Sequence, residues 1–157
     1  MSFSLSAAAM KRVEELVRRY PKKEAALLPI LHVVQREKGF IPREAEDWAA
    51  ATLGIPPILV REVLSFYTLL RRAPAGKYFI QVCRNISCFL AGSEDIVKHL
   101  EARLGIRAGE TTPDGKFTLA TVECLGNCDH SPCLMINDDD YGPVTRDMID
   151  GVLKGLA

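Results

Sequence analysis

The sequence has no excess of either charge, few histidines and no long apolar run. Its 157 residues carry 20 basic and 20 acidic side chains, so net charge does not direct the chain toward nucleic acid or a membrane surface. The longest apolar stretch, residues 25–34, is interrupted by Pro29 and His32 and is too short to cross a bilayer. The N-terminal residues lack the pattern of a signal peptide. We therefore expect a cytoplasmic protein with reduced thiols, without nucleic-acid binding or direct membrane insertion.

Motifs for nucleotide binding and for hydrolysis are also missing. The 11 glycines form neither a G-x-G-x-x-G sequence nor a phosphate-binding loop, so nothing predicts a dinucleotide site on this chain. The three histidines, His32, His99 and His130, are scattered, and the first two are expected in helices. No Ser/His/Asp triad is therefore expected, and we predict no catalytic residue.

The first half of the sequence is predicted to be helical. Apolar residues recur at helical spacing in four segments, which begin near residues 6, 24, 42 and 56. The second and third segments stop at glycine, and the third and fourth open with proline, as helices commonly do. Short connections favour antiparallel neighbours, so residues 1–72 are predicted to form a small helical bundle. Phe66 and Tyr67 are expected to lie mainly in its core.

The second half is predicted to be a compact α/β domain over residues 77–157, after a linker at 71–76. "KYFIQVC", "FTLATVEC", "CLMIN" and "YGPVT" have the composition of strands, and "TPDGKF" that of a turn. A helix is predicted from Ser93, as its N-cap, to about Leu104, and another closes the chain from about Arg146 to Leu156. The chain as a whole is thus predicted to be of the α+β class.

The five cysteines fall into two groups, two within residues 81–88 and three within residues 122–133. Cys83 and Cys88 are separated by four residues, and Cys124 and Cys128 by three. Each group follows the end of a predicted strand, so two neighbouring strands would bring four thiolates together at one end of a small sheet. Cys133, at the start of another strand, is expected to be a buried hydrophobe.

The cysteine spacing favours a [2Fe–2S] cluster and leaves other interpretations open. Structural zinc prefers closer pairs such as C-x₂-C, whereas C-x₄-C also occurs in plant-type ferredoxins. Loop N–H groups and Arg84 are well placed to offset the charge of a four-thiolate cluster, formally about −2. A zinc site, chance buried cysteines and a dithiol redox pair are alternatives. His130 is expected in a loop near the cluster rather than as a ligand.

These residues resemble a known family. "QVCRNISCFLAG", "TPDGKFTL" and "VECLGNCDHSPCLMIND" are similar to the small [2Fe–2S] subunit of the NADH-oxidising module of respiratory complex I. They are equally similar to the corresponding subunits of NAD-linked hydrogenases and formate dehydrogenases. The match begins near residue 10, continues to the C-terminus, and includes the helical segment "ALLPILHVVQREKGFIP".

The resemblance implies a thioredoxin-like fold for residues 77–157, and cluster ligation by Cys83, Cys88, Cys124 and Cys128. Pro132 then stands where thioredoxin-like folds carry a cis-proline. Cys133 departs from the family, which usually has a larger hydrophobe such as methionine at this position. That departure leaves a spare thiol close to the cluster.

The resemblance also implies a function. The chain would be a non-catalytic electron-transfer subunit beside a flavoprotein subunit that binds FMN and NADH, with its helical half contributing to a subunit interface. The parent complex stays open among complex I, a hydrogenase and a formate dehydrogenase. A diffusible thioredoxin-like ferredoxin is the main alternative, which the roughly 70-residue helical extension disfavours. A zinc-stabilised interaction module is a third.

Overall fold

Four helices build the first of the two units, Met1–Pro74 and Ala75–Ala157, into which the chain divides in the computed structural model. The structure describes residues 3–156. The helices are α1 (Ala7–Arg19), α2 (Leu27–Lys38), α3 (Arg43–Leu53) and α4 (Pro57–Phe66), with a short 3₁₀-helix, Lys23–Ala26, before α2. No helix within the described residues is both long and apolar enough to span a membrane.

The ends of these helices follow local rules that the sequence displays. The side chain of Ser6 accepts a hydrogen bond from the Ala9 N–H at 3.2 Å and so caps α1. Gly39 ends α2 with a φ of +80°, a conformation that glycine adopts without a steric penalty. Pro29 lies in the first turn of α2, where its missing N–H has no helical partner to lose.

The core of the helical unit contains one charged side chain and leaves two aromatic residues outside. Glu46 is 3% exposed, and its carboxylate contacts the guanidinium groups of Arg61 and Arg72 at 3.2 and 3.6 Å. The expectation that Phe66 and Tyr67 belong to the core is wrong, because they are 77% and 43% exposed. The buried stripe of α4 consists of Val60 and Leu64, and the Phe66 side chain lies outside this stripe, exposed to solvent.

A four-stranded sheet forms the second unit. Its strands are β1 (Tyr78–Cys83), β2 (Phe117–Val122), β3 (Leu134–Ile136) and β4 (Asp139–Tyr141), in the order β2–β1–β3–β4. β1 is parallel to β2 and antiparallel to β3, which pairs with β4. The centre of β1 is buried, with Ile80 and Val82 fully enclosed. The predicted fold class, helical region first and thioredoxin-like α/β unit second, is confirmed.

Three helices accompany the sheet: α5 (Ile86–Leu90), α6 (Ser93–Leu104) and α7 (Arg146–Leu156). α6 and α7 contribute Leu100 and Ile149 to the apolar core on the strands. α5 was not predicted, because five residues are too few to show helical periodicity. Gly92, rather than Ser93, caps α6, and the last predicted strand lies earlier, at Asp139–Tyr141.

Candidate metal centre

The strand pairing explains how distant cysteines meet at one end of the sheet. Cys83 is the last residue of β1, which lies between β2 and β3. On one side, the Cys83 N–H donates to the Cys133 carbonyl oxygen at 3.1 Å. On the other, Cys83 pairs with Val122, and Cys124 follows two residues later. The end of β1 therefore has cysteine-bearing chain on both sides.

Three of the sulfurs form a buried group. The side chains of Cys83, Cys88 and Cys133 are 1%, 1% and 2% exposed, and their sulfurs all lie within 4.8 Å of one another. The Sγ atoms of Cys88 and Cys133 are 3.6 Å apart. The half-buried side chain of Leu125 packs against the group. The expectation that Cys133 is buried is confirmed, but its sulfur is also among the potential ligands.

The other two sulfurs, of Cys124 and Cys128, are exposed. The negative charge of Cys124 raises the pKa of the Cys128 thiol, and the charge of Cys88 acts in the same direction. Ser131 Oγ lies within hydrogen-bond distance of both Cys88 Sγ and the Cys128 carbonyl oxygen, so the Cys128 backbone lies beside the buried group. All five thiols are free.

Burial and nearby thiols set the ionisation of the buried group. Burial raises the pKa of Cys83, and it raises the pKa of Cys133 to about 12, with the neighbouring Cys88 adding to the second effect. Burial also opposes ionisation of Cys88. The Ser131 hydroxyl and the Cys133 backbone outweigh it, so the pKa of Cys88 lies below its ordinary value. Cys88 is thus the member of the group that most readily becomes a thiolate.

Backbone N–H groups surround the sulfurs, as the sequence predicted. Gly126 donates its N–H to Cys124 Sγ at 3.3 Å. Hydrogen bonds with the backbone of Asn85 and Leu125 lower the pKa of Cys83, against the larger effect of its burial. Such donors stabilise negative charge on sulfur and tune the properties of a bound metal group. The backbone of the loop after β2 therefore forms hydrogen bonds with Cys83 of the buried group and with Cys124 of the exposed pair.

Arg84 is engaged elsewhere. Its guanidinium Nε and Nη2 donate to a carboxylate oxygen of Glu123 at 3.0 and 2.5 Å. Both side chains are exposed, so the pair lies in solvent. Because Glu123 already neutralises it, Arg84 offsets less of the charge on the sulfurs than the sequence predicted.

Ser131 and the residues around it connect the two groups of thiols, and only the structure reveals this role. The Cys88 thiol donates to Ser131 Oγ at 3.5 Å, and that hydroxyl donates to the Cys128 carbonyl oxygen at 2.7 Å. Because a hydroxyl rotates, Ser131 can donate instead to Cys88 once that residue is a thiolate, which lowers the Cys88 pKa. The peptide bond between Ser131 and Pro132 is cis, which confirms the expectation for this position. His130 bonds Asn127 Oδ1 at 3.0 Å and lies outside the buried group of sulfurs.

Gly142 is a second residue that the sequence did not single out. A Cβ atom at this position would lie 2.4 Å from the His130 carbonyl oxygen and 3.2 Å from Cys133 Cβ. Real Cβ atoms do not approach backbone this closely, so the chain after β4 packs against the cysteine loop only because residue 142 lacks a side chain.

The residues present suit an iron–sulfur cluster. Cys83, Cys88, Cys124 and Cys128 supply four thiols at one end of the sheet, with backbone donors to their sulfurs and an apolar wall at Leu125. Four cysteine thiolates are the usual ligands of a [2Fe–2S] cluster. Of the four predicted ligands, the structure groups Cys83 and Cys88 with Cys133.

Comparison with known proteins agrees with this donor set. The sequence model of the family described as thioredoxin-like [2Fe–2S] ferredoxin matches residues 13–157. The chain is 42% identical over 146 residues to a component of the NADH-quinone oxidoreductase of Rhizobium meliloti (strain 1021), covering 93% of this chain and 87% of that protein. It is 39% identical over 155 residues to a component of the NADH-quinone oxidoreductase of Pseudomonas aeruginosa, covering 99% and 93%.

A solved structure shares the fold. A chain of an NAD⁺-reducing [NiFe]-hydrogenase in the air-oxidised state superimposes with a TM-score of 0.70 at 23% sequence identity. The superposition covers 83% of this chain and 22% of the hydrogenase chain. At this identity the similarity concerns the fold alone.

Proposed function

Because this chain belongs to the thioredoxin-like [2Fe–2S] ferredoxin family, we propose that it is the electron-transfer subunit of an NADH-oxidising complex of the NADH-quinone oxidoreductase type. Its partner in this proposal is a flavoprotein subunit that binds FMN and NADH. The observation that supports the proposal is that Cys83 ends β1 and Cys124 follows the parallel, adjacent β2 by two residues, so C-x₄-C and C-x₃-C begin at the same end of the sheet.

The ligands in this proposal are Cys83, Cys88, Cys124 and Cys128. When bound, a [2Fe–2S] cluster supplies one-electron redox chemistry. The chain contributes backbone donors that stabilise negative sulfur, an apolar wall at Leu125 that limits water, and two exposed cysteines. Cys83 and Cys88 are buried, whereas Cys124 and Cys128 are exposed. This arrangement favours electron exchange with a partner bound over Cys124 and Cys128.

An apolar surface beside the thiols supports a docked partner. Ile86, Phe89 and Leu90 of α5 are 71%, 51% and 79% exposed, although α5 also carries the buried ligand Cys88. Exposed large apolar side chains close to one another are typical of protein interfaces. A flavoprotein seated on α5 would lie next to the residues that would hold the electron-accepting cluster.

The helical unit has an apolar surface of its own. Large hydrophobic side chains of α4 and the segment after it are exposed: Ile58, Leu59, Phe66, Tyr67 and Leu69. Their exposure supports the proposal that this unit, the predicted domain 1–72, contributes to a subunit interface. It also favours a fixed subunit over a diffusible ferredoxin. We place the complex on the cytoplasmic side, because five free thiols suit a reducing compartment.

Reduction by NADH in the presence and absence of the flavoprotein subunit tests the proposal. We expect NADH to leave the visible absorbance of the chain unchanged when the chain is alone, and to bleach it when the flavoprotein is added. Bleaching by NADH without the flavoprotein, or no complex between the two proteins, would contradict the proposal.

Point variants locate the interface. Leu90→Asp and Phe66→Asp each place a charge on one apolar surface, and we expect each to weaken flavoprotein binding by about 30-fold or more, as interface hot spots do. Ala102→Asp, at an exposed position of α6, is the matched control and should bind like the unaltered chain. Equal binding by all three variants would exclude both surfaces.

A further inference from the structure

The buried sulfurs of Cys83, Cys88 and Cys133 have the spacing of ligands to a single metal ion. The Cys88 and Cys133 sulfurs are 3.6 Å apart, and all three lie within 4.8 Å of one another. A zinc ion bound to thiolates at about 2.3 Å holds those sulfurs about 3.8 Å from each other in tetrahedral geometry. The three sulfurs could therefore close on one ion with small movements.

This group differs from the ligand set of the cluster. Cluster ligation takes Cys83 and Cys88 together with the exposed Cys124 and Cys128, and it leaves Cys133 unused. Sulfurs that bind different irons of a rhomb lie further apart than sulfurs on one ion. The compact group that includes Cys133 thus suits a mononuclear ion, and the larger set of four suits the cluster.

The surroundings of the group select the kind of ion. Three cysteine sulfurs with an apolar wall at Leu125 form a soft donor set, and thiolates favour Zn²⁺ and Cu⁺ over harder cations. All three cysteines are at least 98% enclosed, so a bound ion would be shielded from bulk solvent. Three thiolates leave the fourth position of a tetrahedral Zn²⁺ to a single water.

We propose that the chain, when it lacks the cluster, binds one soft d¹⁰ cation through Cys83, Cys88 and Cys133. Each thiol that ligates the ion releases its proton to solvent, and no electron changes hands. The ion and the cluster exclude each other because they share Cys83 and Cys88. The mononuclear site does not depend on the identity of the redox partner.

Zinc titration of the full chain tests the proposal. The chain is freed of iron, kept anaerobic, and titrated with Zn²⁺ against a chromophoric chelator, with native mass spectrometry to count bound ions. We expect one Zn²⁺ per chain. Cys133→Ala should lower the zinc affinity at least as much as loss of an outer-shell partner does, about 10- to 100-fold.

The double variant Cys124→Ala/Cys128→Ala is the matched control, and it should keep the zinc affinity within about threefold. Cys133→Val fills the buried space without offering a ligand, so weak binding by both Cys133 variants separates a lost ligand from poor packing. Circular dichroism verifies that each variant is folded.

Any of three results would overturn the proposal. One is unaltered zinc affinity in both Cys133 variants together with loss of binding in the double variant, which would assign the ion to the four cluster cysteines. The second is loss of binding in every variant, and the third is no binding by the unaltered chain. Cluster reconstitution in Cys133→Val should match the unaltered chain, so failure of the zinc site leaves the proposed electron-transfer function standing.

Discussion

The two groups of cysteines lie at the same end of the sheet but in contrasting surroundings. Cys83 and Cys133 are attached to neighbouring strands, and their side chains are almost fully enclosed. Cys124 lies in the loop after β2, which contains Gly126 at a φ of +78°, and Cys128 begins a short 3₁₀-helix, Cys128–His130. Both cysteines are exposed. One group is positioned by the core, and the other by a turn whose backbone requires glycine.

This difference gives the two groups of sulfurs different roles in metal binding. Sulfurs fixed by strand pairing are preorganised for metal before it arrives, whereas sulfurs in a loop can adjust to a bound group and remain close to a partner protein. The backbone of the loop after β2 forms hydrogen bonds with sulfurs of both groups: Leu125 bonds Cys83, and Gly126 bonds Cys124.

The largest expected effect is loss of the cluster when one of its predicted ligands is substituted. Substitution of Cys83, Cys88, Cys124 or Cys128 by Ala should abolish or severely weaken cluster binding, because each change deletes one of four thiolates. Cys133→Ala should retain the cluster. Visible absorbance and iron content measure the outcome. Loss of the cluster in Cys133→Ala alone would show that the ligand set is wrong.

Thiol modification measures the contrast in burial. In the cluster-free chain, we expect a maleimide to modify Cys124 and Cys128 about 100-fold faster than Cys83 or Cys133, because buried thiols react only after local opening. Site-resolved mass spectrometry follows each cysteine. The burial of Cys83 and Cys133 also raises their thiol pKa values, which lowers the fraction of reactive thiolate at neutral pH. Equal rates at all five thiols would remove the distinction between the groups.

Gly142 provides a test of how tightly the buried group is packed. Gly142→Ala should lower the free energy of unfolding by about 1–3 kcal/mol, because its Cβ would clash with the His130 backbone. Gly151→Ala is the control, since a Cβ in that part of α7 meets nothing within 4 Å, and it should stabilise the chain by about 0.5–1 kcal/mol. Denaturant unfolding compares the two, and a neutral Gly142→Ala would contradict the packing.

The smallest expected effect concerns ionisation of Cys88. The Ser131 hydroxyl helps to hold the pKa of Cys88 below its ordinary value, although burial opposes it. Ser131→Ala should therefore raise that pKa, because the variant loses the hydroxyl that stabilises the thiolate. At a pH near the Cys88 pKa, the variant then has less thiolate, and the two chains converge at higher pH.

Ultraviolet thiolate absorbance of the cluster-free chain against pH measures this shift. Ser65→Ala, which removes an exposed hydroxyl in α4, should leave the titration unchanged and serves as the control. A shift toward lower pH in Ser131→Ala would contradict the assigned role of the hydroxyl.

The sequence predicts most of the fold because its signals are local. Periodic apolar residues, prolines at helix starts and Gly39 and Gly54 at helix ends specify the first half, and the boundaries agree to within a few residues. The proximity of Cys133 to Cys83 and Cys88 could not be predicted in the same way. It depends on the antiparallel pairing of β1 with β3, which joins segments about 50 residues apart and has no local signal.

Surface apolar residues are also hard to predict from sequence. Aromatic side chains are usually buried, which favours the core for Phe66 and Tyr67, but Val60 and Leu64 form the buried stripe of α4 instead. A surface that is reserved for a partner has the same composition as a core, so composition alone does not separate the two.

Anaerobic reconstitution of the chain with iron and sulfide, in the absence of other metals, tests the central claim most directly. The account predicts about two irons and two inorganic sulfides per chain, visible absorbance, and an electron paramagnetic resonance signal of about one unpaired electron per chain after reduction. A colourless chain that retains no iron would contradict it.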